Sequence, residues 1–200
     1  MPAEAVIAAL RHVWLTLEPL RVPVAVMGGL ALAAWKYVRA TRDIDLLLGI
    51  GQSDLAQVLD RLAAAGVRPK RIPPLISLGE LDVVQLLYEP PETFLDVQVD
   101  LLLGKSEYHQ VALNRRVPTH LPELDVPVAI LTCEDLVLHK LMAGRLIDRV
   151  DAAGLLRANR TTLENHYLTQ WAKRLGVADE LTEAWSEAFP GEPPPLHVKG

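Results

Sequence analysis

One cysteine in 200 residues, Cys133, excludes an internal disulfide and fits a reducing compartment. Basic residues are also short: 20 Lys and Arg stand against 25 Asp and Glu, a formal net charge of −5. A protein that gripped nucleic acid over its whole surface would carry the opposite balance, so DNA is not expected as a partner and any RNA contact must be local. No apolar run approaches the roughly 18 residues of a membrane span, and Met1 to Leu10 lacks the basic start of a secretory leader, so the expectation is a soluble, cytoplasmic protein. The six histidines show no paired metal-ligand spacing, and neither a Walker loop nor a dinucleotide fingerprint occurs. Zinc hydrolase, P-loop and Rossmann readings are thereby set aside. What is present is 50% apolar composition, enough for one domain with a full core or for one domain plus a helical appendage.

The chain is organised around Val22 to Leu48. Val22, Val24 and Val26 predict a buried strand, Gly28-Gly29 stop it, and Ala31 to Tyr37 read as a short helix. Arg39-Ala-Thr-Arg-Asp-Ile-Asp-Leu-Leu-Leu returns to strand character. The strand period of two puts Asp43 and Asp45 on one face and Ile44 and Leu46 on the other. Adjacent carboxylates on a half-buried strand repel and lose hydration, a difficulty that a bound cation removes. Oxygen ligands of this kind suit Mg²⁺, which takes one or two carboxylates together with substrate phosphates. Backbone N–H groups at the glycine pair, just before a helix, suit an anion, and the two halves together suggest a nucleoside triphosphate.

Elsewhere, Val6, Ile7, Leu10, Val13, Trp14 and Leu17 give Pro2 to Leu17 one apolar helical face. A second helix opens at Gln52-Ser53, with Ser53 as N-cap and Leu55, Val58, Leu59 and Leu62 as buried stripe, and ends at Gly66. Pro69 to Pro74 reads as a loop. Leu81 to Tyr88 and Phe94 to Leu103 are strands joined too closely for a crossover helix, hence an antiparallel hairpin. Lys105 to Arg116 reads as a short helix and Val126 to Ile130 as a strand. Thr132 caps a helix through Met142, with Asp135 in the capping-box position. On its wheel Lys140 falls inside the arc of Leu136, Val137 and Leu141, so its ammonium either snorkels to water or reaches a ligand. Further helices are expected over Thr162 to Leu175 and Ala178 to Phe189, with Trp171, Leu175, Leu181 and Trp185 buried. A proline-rich tail, 190–200, is expected to be poorly ordered.

The order strand, Gly28-Gly29, helix, Asp43-Ile-Asp45 resembles the nucleotidyltransferase superfamily of DNA polymerase β type, and the Arg39 to Asp45 run looks most like its AbiEii/AbiGii-type toxin branch. Gly29 departs from the serine found in many members. The resemblance covers roughly residues 22–157. It implies an α/β fold, a mixed sheet flanked by helices, with a nucleotidyltransferase-like core over 1–131 and a mostly helical part over 132–189. It further implies transfer of a nucleoside monophosphate from an NTP to tRNA or a protein hydroxyl, with Mg²⁺ or Mn²⁺ as cofactor and, for a toxin of this branch, a cognate antitoxin as partner. Gly28, Gly29 and Arg42 would lie at the nucleotide, together with Lys140 and Arg145 from Glu134-Asp-Leu-x3-Lys140-x4-Arg145-x2-Asp148-x2-Asp151; Asp148 could instead pair with Arg145 on the surface. The competing reading is a non-catalytic nucleotide- or protein-binding module on the same fold.

The resemblance also implies a third carboxylate beside Asp43 and Asp45, and Asp96 and Asp100 both have the hydrophobic-Asp-hydrophobic form. In a regular strand they share a face about 13 Å apart, too far for both to reach metal ions separated by roughly 4 Å. Asp100 is preferred because Val99-Asp-Leu-Leu-Leu-Gly echoes Ile44-Asp-Leu-Leu-Leu-Gly and resembles the third motif of the branch.

Overall fold

The computed structural model describes residues 3–78, 81–121 and 123–195. The chain divides into two compact units, residues 1–30 with 40–131 and residues 31–39 with 132–200. Residues 31–39 thus cluster with the C-terminal part, a membership that division by sequence order does not contain.

The first unit is built on a mixed sheet. Strand β1, Val24–Met27, runs antiparallel to β2, Asp43–Leu48, which lies parallel to β6, Val97–Gly104. Strand β5, Leu81–Tyr88, forms the expected antiparallel hairpin with β6. Beyond β5 lie β3, Arg68–Pro69, and β4, Leu75–Leu78, and beyond β1 lie β8, Val128–Ile130, and β7, Val117–Thr119. The segment read as a loop at Pro69 to Pro74 is therefore bracketed by two short edge strands. Pro69 and Pro118 sit on edge strands, where a missing N–H costs no ladder bond.

Three helices complete this unit. Helix α1, Ala3–Leu17, buries Val6, Leu10, Val13, Trp14 and Leu17, while Ile7 is half-buried and Pro2 lies outside the described residues. Helix α3, Gln52–Ala64, has Gly51 at its cap position, so Ser53 falls inside the first turn and not at the N-cap. Its Val58 and Leu62 are buried, and Leu55 and Leu59 are half-buried. Helix α4, Glu107–Arg115, starts later than expected because the Ser106 hydroxyl accepts the His109 N–H and the His109 ring reaches back, a closed capping box. The short helix α2, Gly28–Ala34, begins at the glycines and ends before Tyr37, and the strand character expected from Arg39 begins at Asp43.

The second unit consists of α5, Cys133–Ala143, α6, Leu146–Asn159, α7, Asn165–Arg174, and α8, Ala178–Ala188. Thr132 caps α5 by accepting the Asp135 N–H, as the sequence predicts. Every residue of α5 from Cys133 to Leu141 is buried, so the wheel's assumption of a solvated face fails there. Trp171, Leu181 and Trp185 are buried, and Leu175 is half-buried at the end of α7. The segment 31–39 is fixed to α6 at three points. Asn159 Nδ2 donates to the Trp35 carbonyl at 2.7 Å, the Tyr37 ring fills the space over Gly154, and Arg39 pairs with Asp151 at 3.1 Å. Of the tail, Glu192 is tied to Arg160 at 2.5 Å, and 196–200 lie outside the described residues. No helix among the described residues is long and apolar enough to cross a membrane.

Candidate active site

Strand alternation sets which side chains share a face. Along β2 the half-buried Asp43 and Asp45 alternate with the buried Ile44 and Leu46, and along β6 the half-buried Gln98 and Asp100 alternate with the buried Val97, Val99 and Leu101. In the parallel pairing of the two strands Asp45 stands opposite Asp100 and Asp43 opposite Gln98. Three carboxylates and an amide therefore occupy one face at the first half of β2. On the far side of β6, Gln85 stands opposite Asp100.

The glycine pair is placed by the same register. Met27, the last residue of β1, pairs with Asp45, so Gly28 follows directly past that carboxylate. A Cβ at Gly28 would lie 1.8 Å from Asp45 Oδ2, and the backbone there has φ of +62°, in the left-handed region. A Cβ at Gly29 would lie 2.6 Å from both Cβ and Oγ1 of Thr41. The space that two missing side chains leave at the end of β1 is thus filled by Asp45 and Thr41.

Each outer carboxylate has a partner. Thr41 Oγ1 donates to Asp43 Oδ1 at 2.9 Å. Gln98 Nε2 donates to Asp100 Oδ1 at 3.0 Å and Oδ2 at 2.9 Å, while Lys70 Nζ donates to the Gln98 amide oxygen. Burial pushes the Asp100 carboxyl above its usual range; the Gln98 hydrogen bond opposes that, the neighbouring Asp43 charge adds to it, and Lys70 and Gln85 oppose it. Asp96 stands apart, exposed and paired with Arg68 at 2.5 Å. Arg42 is exposed beside the site's first strand.

This face suits a divalent cation by the chemistry of its donors, which are the carboxylate oxygens of Asp43, Asp45 and Asp100 on one side of the sheet. Among the described residues, however, no three His, Cys, Asp or Glu side chains are gathered closely enough to cage a metal ion by themselves. Thr41 and Gln98 hold Asp43 and Asp100 by hydrogen bonds.

Lys140 and Arg145 belong to the second unit. The Lys140 ammonium lies between Asp148 Oδ1 at 2.9 Å and Asp151 Oδ2 at 2.8 Å, and the residue is only 7% exposed, so the snorkelling alternative fails. Arg145, itself exposed, reaches the fully buried Asp148 at 2.6 Å, so the expected pairing forms with its cation at the surface and its carboxylate inside. Arg39 completes the network on Asp151, whose Oδ1 is buried without a hydrogen-bond partner. The sequence does not reveal the roles of Thr41, Gln98 and Asp151. Thr41 lies two residues before Asp43, a spacing at which a hydroxyl can bond locally, and that was the available clue.

No protein-family model and no curated protein matches the chain. Solved structures do. The antibiotic-resistance factor ANT(2'')-Ia, in its complex with adenylyl-2''-tobramycin, aligns over 85% of this chain and 96% of its own at 12% identity, with a TM-score of 0.55. Its solution structure aligns over 86% and 94% at 14% identity, with a TM-score of 0.54. JHP933 from Helicobacter pylori aligns over 96% and 82% at 13% identity, with a TM-score of 0.50. The chain has a nucleotidyltransferase-like fold. At these identities the likeness is one of fold.

Proposed function

We propose that the chain transfers a nucleoside monophosphate from an NTP to an acceptor hydroxyl, using Asp43, Asp45 and Asp100. The observation that carries this reading is the direct pairing of Asp45 with Asp100 across β2 and β6, with Asp43 on the same face and Gly28 closed against Asp45. Three carboxylates on one sheet face are costly to a fold that has no use for them.

Mg²⁺ or Mn²⁺ held by these carboxylates would supply Lewis-acid stabilisation of the phosphoryl oxygens and a more acidic acceptor hydroxyl. The chain's own contributions are separate. Gln98 and Thr41 orient Asp100 and Asp43, Lys70 orients the Gln98 amide, and the first turn of α2 offers backbone N–H groups to the triphosphate. Lys140 and Arg145 are engaged with Asp148, so we read them as holding the second unit together and not as phosphate contacts.

The test is incubation with each labelled NTP and Mg²⁺, offering in parallel tRNA, protein from cell extract and small polyhydroxy compounds. Label in one fraction names the acceptor. A small-molecule acceptor would parallel the adenylyl-2''-tobramycin bound by ANT(2'')-Ia, whereas label in tRNA or protein would favour the AbiEii-like toxin reading and a search for an antitoxin. One observation favours the binding-module alternative, namely that the three carboxylates are not gathered into a cage. Nucleotide binding without label in any fraction would establish that alternative.

A further inference from the structure

Gly29 differs from Gly28 in what makes glycine necessary. Gly28 has a left-handed backbone, whereas Gly29 does not, so any residue could adopt the Gly29 conformation. What excludes a side chain at 29 is Thr41, whose Cβ and Oγ1 both stand 2.6 Å from where a Cβ would be, with Cγ2 at 3.4 Å. A Cβ–Cβ clash cannot be relieved by a rotamer change, because the Thr41 Cβ moves only with its backbone. That same Thr41 places its hydroxyl 2.9 Å from Asp43 Oδ1.

We infer that Thr41 is a positioning residue for the Asp43 carboxylate, held in place by the absence of a side chain at Gly29. The inference rests on the transfer reading above. The chain of contacts runs Gly29 to Thr41 to Asp43. The glycine provides the seat, the threonine occupies it, and its hydroxyl fixes one of the two carboxylate oxygens. A hydroxyl donor is suited to this because it can hold a charged acceptor in one rotamer while leaving the second oxygen for another partner. The bond joins residues two apart, so it forms with the local chain as it enters β2. Asp100 is held comparably by the Gln98 amide, but from its own strand and without a glycine seat. Thr41 is therefore the contact that links Gly29 to Asp43.

The role separates from a merely structural one by substitution at constant shape. Thr41→Val keeps the β-branched volume and removes the hydroxyl, and Thr41→Ser keeps the hydroxyl and removes a methyl. Loss of a group that orients a metal-ligating side chain weakens metal binding or turnover by about 10–100-fold. Thr41→Val is expected to weaken Mn²⁺ binding, read by the electron paramagnetic resonance of free Mn²⁺, by about tenfold or more. It should lower kcat and leave KM for NTP close to wild type, because the hydroxyl touches the carboxylate. Thr41→Ser should restore both quantities. The seat is tested by melting: Gly29→Ala should lower Tm, and combining it with Thr41→Gly should recover much of the loss.

Wild-type Mn²⁺ binding in Thr41→Val would overturn the inference, as would strictly additive Tm changes in the Gly29 and Thr41 pair. Wild-type turnover in Thr41→Val with Asp43→Asn inactive sinks the positioning role and leaves the transfer reading intact. A wild-type protein without any transfer sinks that reading, and the Mn²⁺ titration then still decides whether Thr41 orients Asp43.

Discussion

Gly28 and Asp45 occupy each other's space: the carboxylate oxygen Oδ2 of Asp45 stands 1.8 Å from the point where a side chain at 28 would begin. The contact arises because Met27 and Asp45 are paired across β1 and β2, so the first residue beyond β1 must pass the carboxylate.

Gly28→Ala is accordingly expected to be more damaging than an ordinary glycine-to-alanine change. The left-handed backbone costs about 1–2 kcal/mol for a residue with a Cβ, and displacement of Asp45 adds to it. Tm should fall, and Mg²⁺-dependent transfer should fall by about 100-fold. Differential scanning calorimetry together with single-turnover kinetics measures both. Near-wild-type transfer in this variant would show that Asp45 can be moved without consequence.

Asp45→Asn and Asp100→Asn should each abolish measurable transfer while metal-free stability holds or rises. For Asp100 the stability follows from burial and the Asp43 charge, which already disfavour its charged form; for Asp45 it follows from removing a like charge on the face it shares with Asp43 and Asp100. Asp96→Asn is the control. Its exposed pair with Arg68 is worth about 1 kcal/mol or less, so transfer should be unchanged. Loss confined to the Asp96 variant would move the site four residues back, to the residue just before β6.

Lys140→Met keeps the aliphatic stem and takes one cationic partner from each of two buried carboxylates, leaving Asp148 with Arg145 and Asp151 with Arg39, so the expected cost is about 3 kcal/mol. Urea denaturation gives the value. A variant as stable as wild type with weakened NTP binding would restore the nucleotide role that the sequence suggested for this lysine.

The same network predicts acid sensitivity. Burial alone would raise the Asp148 carboxyl, but the hydrogen bonds from Arg145 and Lys140 and the charges of Lys140 and Arg145 outweigh it and hold it below its usual range. A depressed folded-state value means that the group stabilises the fold above the ordinary carboxylate range and that this stabilisation is lost as pH falls through the depressed value. Asp148→Asn should therefore be less stable than wild type at pH 7, and the difference should shrink as pH falls below about 4. A stability difference that is constant over that range would show that Asp148 is neutral in the folded protein.

Cys133 is buried in α5, and burial, then the nearby Glu134 charge, pushes its thiol up to about 12. Thiolate-directed reagents at pH 8 should therefore modify it only after denaturant is added. Stoichiometric labelling of the native protein, followed by mass spectrometry, would contradict this placement.

Much of the site's framework is legible in the sequence because it rests on a period of two. Asp43 and Asp45 share a face by alternation, and the repeated Asp-Leu-Leu-Leu-Gly pattern brings out Asp100, which the structure sets against Asp45. What alternation cannot supply is cross-strand register, and so Gln98 opposite Asp43 and Gln85 opposite Asp100 were not accessible. Strands β3 and β4 escape because one holds a proline in two residues and the other is a four-residue run between a proline-rich stretch and a hairpin. At Lys140 the wheel is right that the side chain leaves the solvated face, but it cannot name the partners Asp148 and Asp151, because they lie on the following helix.

The segment 31–39 belongs by contact to helices that follow it by more than a hundred residues, yet it lies between the glycine pair and Asp43 in the chain. Cutting the polypeptide after residue 131 would consequently not yield a self-sufficient first half. It would leave the Trp35 carbonyl without Asn159, the Tyr37 ring without Gly154 and Arg39 without Asp151. Recombination meets the same obstacle: a C-terminal half exchanged from another chain must arrive with a matching 31–39 segment. The helical part is therefore inherited together with a piece embedded in the candidate active-site motif, and the two cannot diverge independently.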